Sequence, residues 1–275
     1  MARQPAPCRD VGPRFTALVL AGRRGPGDQL GGHQHKAMLP VAGVPMLVRV
    51  VQSLRGAAHI GQIFVSVDDA AVLSHPDLQV LTASGVLSRV ACGPSPSASV
   101  ERFRRERPSD LPLLVTTADH PLLSPEMIEY FCREALGRSA DVVVGAVSAG
   151  LLRTHYPESR RTVITLKDDG LSGANLFAFL TPLSTLAAEF WVRAEQFRKR
   201  PWRLVSVFGP LTLVRFLLGR LDLEAATRRA SRAVGATIAV IRMPFPECAI
   251  DVDRPADLAL ATRILEQRAA SAGRV

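Results

Sequence analysis

Residues 15–21, Phe-Thr-Ala-Leu-Val-Leu-Ala, form a short apolar run that stops at Gly22 and opens into a loop with further glycines at 25, 27, 31 and 32. Such a run is the mark of a strand buried on both faces, and strands of that kind belong to parallel sheets covered by helices. Glycine at the strand exit lets backbone N–H groups approach an anion without a Cβ in the way. Arg23, Arg24 and Lys36 add positive charges that suit a triphosphate. The loop lacks G-K-[ST] and G-x-G-x-x-G, so it is neither a Walker A loop nor a dinucleotide fingerprint.

The rest of the chain keeps the same alternation. Pro45 opens a helix with Leu47, Val50, Val51 and Leu54 at helical spacing, and residues 63–67 read as a second strand. Residues 100–107 are expected to be helical. Residues 113–117, 142–147, 162–166 and 237–241 are expected to be strands, with 176–179 as a further apolar segment. Pro255 starts a closing helix to about residue 267. The pattern predicts an α/β fold, a Rossmann-like three-layer sandwich around a mostly parallel mixed sheet. From about 186 to 235 it turns helical, with Phe190, Trp191, Phe197, Trp202 and Phe216 interleaved with arginines. One domain is therefore expected, with a core of about 14–185 and 236–268, a helical insertion between them, and short flexible termini.

Composition excludes several classes. At 47% hydrophobic and 21% charged, the 275-residue chain is not disordered throughout. No stretch of 18 uninterrupted apolar residues is present, and residues 1–14 lack the apolar centre of a signal peptide, so a cytoplasmic protein is expected. Cys8, Cys92, Cys132 and Cys248 lie far apart with no C-x-x-C pair, which argues against a zinc knuckle or a disulfide framework. The net charge of +9 is concentrated: residues 193–232 hold ten basic and three acidic side chains, which points to an anionic ligand or a solvated basic face.

Two further segments carry chemistry. Residues 114–123 place Asp119 at the carboxyl end of a predicted parallel strand, where ligands of open α/β sheets collect. A hard oxygen ligand there suits Mg²⁺, although Asp119 is equally readable as a cap before Pro121. His120 beside it reads as a loop side chain, not a ligand or base. Near the end, Asp251-Val252-Asp253-Arg254-Pro255 puts two carboxylates before a helix. Asp253 is readable as a cap of the helix that Pro255 opens, and Asp257 as a partner of the helix dipole. Ser97 and Ser99 lie in a serine-rich entry to a helix, which reads as ordinary N-capping.

Together these segments resemble the nucleotidyltransferases of the molybdenum-cofactor guanylyltransferase-like group, which includes sugar-phosphate and methylerythritol-phosphate members. The resemblance rests on Leu20-Ala21-Gly22 and on Lys36, Leu39, Gly43, Pro45, Met46 and Leu47. It rests also on Asp119-His120-Pro121-Leu122 and on Ile250-Asp251-Val252-Asp253 ahead of Pro255. Arg23 stands where a second glycine is usual, and the loop to Lys36 is a few residues longer than is common. The resemblance implies a nucleotide site at Leu20, Ala21, Gly22, Arg23, Arg24, Gly25, Lys36, Ser97 and Ser99. It implies catalytic roles for Lys36, Arg24 and Asp119, with Mg²⁺ (or Mn²⁺) held by Asp119 and Asp253, Asp251 being the alternative. Asn175 and Lys167 are the implied acceptor contacts.

The implied reaction moves a nucleotidyl group from an NTP, CTP or GTP by this resemblance, to a phosphorylated small molecule or lipid head group. Pyrophosphate is released. Two other readings compete. A glycosyltransferase would use Asp251-Val252-Asp253 as a D-x-D motif. A non-catalytic protein would use the Arg/Trp-rich section to grip a membrane surface or nucleic acid, but no recognised nucleic-acid motif accompanies it. Peripheral contact with the inner membrane surface follows from the same section. Nothing in the sequence sets an oligomeric state.

Overall fold

The computed structural model describes residues 12–22, 35–167, 169–195 and 220–273. Its strands are β1 (Phe15–Leu20), β2 (Pro40–Val41), β3 (Val44–Pro45), β4 (Ile60–Ser66), β5 (Leu87–Val90), β6 (Leu113–Thr117), β7 (Val142–Ser148), β8 (Ile164–Thr165), β9 (Gly170–Phe179) and β10 (Ile238–Arg242). Its helices are α1 (Met46–Gly56), α2 (Pro76–Ala83), α3 (Pro96–Glu106), α4 (Pro125–Leu136), α5 (Ala149–His155), α6 (Ser184–Glu195), α7 (Leu223–Val234) and α8 (Pro255–Ala272). The main sheet runs β10-β7-β9-β6-β1-β4-β5, with β8 on β9, and β2 and β3 form a separate ribbon. β1 is parallel to both β4 and β6, while β9 is antiparallel to β6 and β7. The expected mostly parallel mixed sheet is present.

β1 shows why this sequence makes a two-faced sheet. Side chains alternate across a strand, and here both faces are apolar. Ala17 and Val19 are buried in a core shared with α1, α2, α4 and α8. Leu18 points the other way, into a core with Phe64, Leu113, Val115, Val100 and Phe103 of α3, and Ala188 of α6. Phe64 and Phe103 meet edge to face at 5.1 Å in that second layer. Ser95 and Ser124 cap α3 and α4 through side-chain acceptors, each followed by a proline in the first turn.

The structure departs from the sequence reading in places. β9 begins at Gly170, six residues before the apolar segment at 176–179; its first half holds two glycines and one large apolar side chain, Leu171, and so shows only a weak alternation. The expected strand at 162–166 shrinks to the two residues of β8. α3 starts at Pro96, not at 100. α2, α4, α5 and β5 are elements the pattern reading did not identify. The expected helical insertion is helical at its two described ends. α6 lays Trp191 against Phe177 at 5.1 Å, and Leu221 and the start of α7 pack over Ala146, Leu166 and Leu171. Phe197, Trp202 and Phe216 lie outside the described residues. No helix among the described residues is long and apolar enough to cross a membrane.

Candidate active site

All the parallel strands end on one edge, and the site is built there. The exits of β1, β4 and β6 are stitched together: Ala21 N–H donates to the Ser66 carbonyl at 2.9 Å, and Ala118 N–H to the Leu20 carbonyl at 3.0 Å. Leu20, Ala21 and Gly22 thus stand directly beside the segment that carries Asp119. Arg23, Arg24 and Gly25 lie outside the described residues.

Lys36 comes to this edge on a short 3-10 turn, Lys36–Met38, whose Ala37 and the following Leu39 are buried. The ribbon β2–β3 holds that turn in place. Its two turn residues, Ala42 (φ 47°) and Gly43 (φ 78°), both take positive φ, the backbone of a type I′ hairpin. Arg49 of α1 braces the ribbon from behind, donating to the carbonyls of Val41 at 2.9 Å and Ala42 at 3.0 Å. Gly43 and Pro45 of the motif therefore shape the support that aims Lys36.

The Lys36 ammonium donates to Asp119 at 2.9 Å and to Asp253 at 2.6 Å. Asp253 reaches it because the segment after the 3-10 turn Pro246–Ala249 runs alongside the β6 exit: Val252 N–H donates to the Asp119 carbonyl at 2.9 Å. Asp257, buried in the first turn of α8, accepts from the backbone N–H groups of Asp253 (3.3 Å) and Arg254 (3.0 Å). Its sequence reading as a partner of the helix start holds in that form.

Asp251 is the third carboxylate, and one oxygen from each of Asp119, Asp251 and Asp253 lies within 4.8 Å of the others. Asn175 Nδ2 donates to Asp251 at 3.3 Å. Asn175 sits in β9 with φ 50°, where the β7–β9 register shifts, and Asn tolerates this backbone better than most residues. Arg161, which the sequence reading missed, forms an ion pair with Asp251 and lies 3.1 Å from Asp257. Neither periodicity nor motif singles it out, since it is one arginine of a pair between α5 and β8.

The electrostatics follow from this crowding. Burial works against the charge of Lys36, but Asp119 and Asp253 outweigh it and hold its pKa above the ordinary lysine value. Burial lifts the Asp251 pKa, and Asp119 and Asp253 add to that against the pull of Arg161. His120 is a loop side chain as expected, fully buried, and burial lowers its pKa to about 4. It stays neutral near pH 7. Three converging carboxylates are a hard-oxygen donor set and fit Mg²⁺.

The remaining candidates are placed as follows. Ser97 is fully buried and donates to Glu195 at the end of α6, as does the capping Ser95 at 2.7 Å. Ser99 accepts from Gly93 N–H at 2.9 Å and donates to the Ser95 carbonyl at 3.0 Å. Both hydroxyls are engaged in hydrogen bonds that build the loop and tie it to α6. The loop still borders Gly22, where a Cβ would sit 3.4 Å from Cys92. Lys167 is exposed, and its N–H donates to the Leu221 carbonyl at 2.9 Å. Of the two acceptor candidates, Asn175 is the one that joins the carboxylate cluster, through Asp251, among the described residues. Cys132 and Cys248 are buried in the core and Cys92 is half-buried, in keeping with their lack of a motif.

Comparison with known proteins agrees with this geometry. The chain is 29% identical over 254 residues to 2-C-methyl-D-erythritol 4-phosphate cytidylyltransferase of Frankia casuarinae, covering 92% of this chain and 82% of that protein. A hypothetical transferase from Thermus thermophilus superposes with a TM-score of 0.73 at 27% identity, over 89% of this chain and 99% of the other. The fold is shared at 13% identity with 4-diphosphocytidyl-2C-methyl-D-erythritol synthase of Anaerococcus prevotii (TM-score 0.58, 92% and 96% covered). The model of the MobA-like NTP transferase domain matches residues 17–196, well over half the chain, from β1 through α6. With Lys36 and Asp119 meeting at the carboxyl edge inside that span, the protein is a nucleotidyltransferase and belongs to the MobA-like NTP transferase family.

Proposed function

We propose that this enzyme transfers a cytidylyl group from CTP to a phosphorylated sugar or polyol, releasing pyrophosphate, with Mg²⁺ as its metal and Mn²⁺ as a substitute. The observation that carries the reading is the meeting of Lys36, Asp119 and Asp253 at the edge where β1 and β6 end. The choice of CTP over GTP, and of a phosphorylated acceptor, leans on the relative from Frankia casuarinae, whose name states a cytidylyl transfer to a sugar-alcohol phosphate. A nucleotide-sugar reaction built on Asp251-Val252-Asp253 stands second to this reading, because the family model that matches the chain is that of an NTP transferase domain.

In this reaction an oxygen of the acceptor phosphate forms a new bond to the α-phosphorus of CTP. The bond from that phosphorus to the oxygen bridging it to the β-phosphate breaks, and pyrophosphate leaves with the electron pair. The attacking oxygen is already ionised near pH 7, so no general base is needed, and a neutral, buried His120 is not a loss. Asp119 and Asp253 would hold Mg²⁺, which would supply charge neutralisation for the triphosphate. Lys36 neutralises the charge that grows on the departing pyrophosphate. Gly22 lets the backbone at the β1 exit come close to phosphate oxygens. Asn175, on the β9 side of the carboxylates, offers an amide to the acceptor.

The test is a pyrophosphate-release assay of the full chain with Mg²⁺, each of the four NTPs, and a panel led by 2-C-methyl-D-erythritol 4-phosphate. Release with CTP that depends on the acceptor is expected. Release only with GTP, or only with an acceptor that lacks a phosphate, would reject the substrate assignment.

A further inference from the structure

We propose that Arg161 is a positioning residue that selects which carboxylates hold the divalent cation: by pairing with Asp251 it withdraws that group and leaves the cation to Asp119 and Asp253. The proposal rests on the reading that this cluster binds a divalent metal, and it goes further by giving a role to a residue outside every motif.

Three carboxylates lie within reach of one ion, yet they are not equivalent. Asp119 and Asp253 share the Lys36 ammonium. Asp251 is held differently at both of its oxygens. Arg161 Nη1 donates to Oδ1, Asn175 Nδ2 donates to Oδ2 at 3.3 Å, and Arg161 Nη2 donates to the Asp251 carbonyl at 2.5 Å. The guanidinium is only 7% exposed, and a planar fork buried against its carboxylate is a geometry that a flexible lysine ammonium cannot reproduce. Arg161 also reaches Asp257 at 3.1 Å, the residue that accepts from the backbone of Asp253 and Arg254. Arg254 closes the bracket by donating to the Arg160 carbonyl at 2.6 Å. Residues 160–161 and 251–257 are thus fastened to one another, and Asp253 rides on the fastened piece.

Two consequences follow. With Arg161 in place, Asp251 is neutralised by a fixed partner and its oxygens are turned to Arg161 and Asn175. Without it, a third negative carboxylate stands beside Asp119 and Asp253, and a divalent ion draws it in. The ion would then bind more tightly and be misplaced for turnover, since ligand charge count sets affinity at such sites.

The experiment titrates the full chain with Mn²⁺ in the absence of nucleotide, reading bound and free ion by electron paramagnetic resonance, alongside kcat in the pyrophosphate assay. Arg161→Met is expected to bind Mn²⁺ about fivefold more tightly or more, with a reduced kcat. Adding Asp251→Asn to that variant is expected to return Mn²⁺ affinity to within about twofold of the parent and recover part of kcat. Unchanged or weaker Mn²⁺ binding in Arg161→Met, or a double variant that does not return, overturns the proposal. Should Arg161→Met not fold, single variants decide. Asp251→Asn within about twofold of the parent and Asp253→Asn weaker by about tenfold or more uphold it; equal losses overturn it. An unmodified protein that binds no Mn²⁺ also overturns it. Because this titration contains neither CTP nor acceptor, the pattern can hold while the cytidylyl reading fails, and the two failures are told apart.

Discussion

Lys36 and Asp253 are 217 residues apart in the chain, and their side chains meet at 2.6 Å, with Asp119 accepting from the same ammonium at 2.9 Å. The lysine occupies the place between two carboxylates that a metal ion would take. Under the proposed function, an ammonium and a divalent cation would compete for these two carboxylates.

Replacing Lys36 with Met is therefore expected to have opposite effects on two measurements. Mn²⁺ binding without nucleotide tightens by about tenfold, because a competing positive charge is gone. Turnover falls by at least about a hundredfold, because charge on the departing pyrophosphate loses its partner. A Mn²⁺ titration and steady-state kinetics on the same preparation check both. Mn²⁺ affinity that weakens would show that Lys36 is not a competitor.

Asp119→Asn is expected to lower kcat by at least about a hundredfold while the protein still melts cooperatively. The hydrogen bond that joins this residue to Val252 uses its backbone carbonyl, which the substitution leaves in place. Calorimetry together with the pyrophosphate assay checks the separation. A fully active variant would remove Asp119 from the site.

Asn175 has φ 50°, so its backbone and its side chain can be tested apart. Asn175→Gly keeps the backbone at ease and removes only the amide that donates to Asp251, so stability changes by less than about 1 kcal/mol while KM for the acceptor rises. Asn175→Val forces a branched side chain into the left-handed region and costs about 1–2 kcal/mol. Chemical denaturation of both variants, with acceptor kinetics for the glycine variant, gives the comparison. Equal stability losses would mean that the amide, not the backbone, is what matters.

Gly93 lies where the serine-rich loop enters α3, and a Cβ there would sit 2.8 Å from the Ala98 carbonyl carbon and 2.9 Å from Ser99 N. Gly93→Ala is expected to destabilise by about 1–3 kcal/mol, since backbone atoms must move. Ser99→Ala, which removes the hydroxyl between Gly93 and Ser95, is expected to cost about 1 kcal/mol with little change in KM for CTP. A large KM increase in Ser99→Ala with unchanged stability would return that hydroxyl to the nucleotide site.

Much of this protein was readable along the chain because its signals are local. The apolar run of β1, the proline at the head of α8 and the periodic face of α1 each express a preference acting over a few residues, and together they predicted the α/β class. Lys36 and Asp119 were nameable from local residue types, a positive charge closing a glycine-rich loop and a carboxylate at a strand exit, whereas the metal role of Asp253 came from the family resemblance. Asn175 was nameable only through the family resemblance, and the start of β9 was hidden because two glycines in its first four residues leave little alternation to read.

What the chain could not reveal is which charges meet. Arg161 looks like any surface arginine until α5 and β8 bring it against the turn before α8. Ser97 and Glu195 find each other only because α6 packs on α3. The assignment of Asp251 to Arg161, and of Asp253 to Lys36, depends on direct contacts between segments 90 and 217 residues apart. Local propensity carries no information about such pairings. They are decided by the packing of the whole sheet, since electrostatic partners are chosen by where the backbone lets side chains reach, and here a common strand edge delivers them.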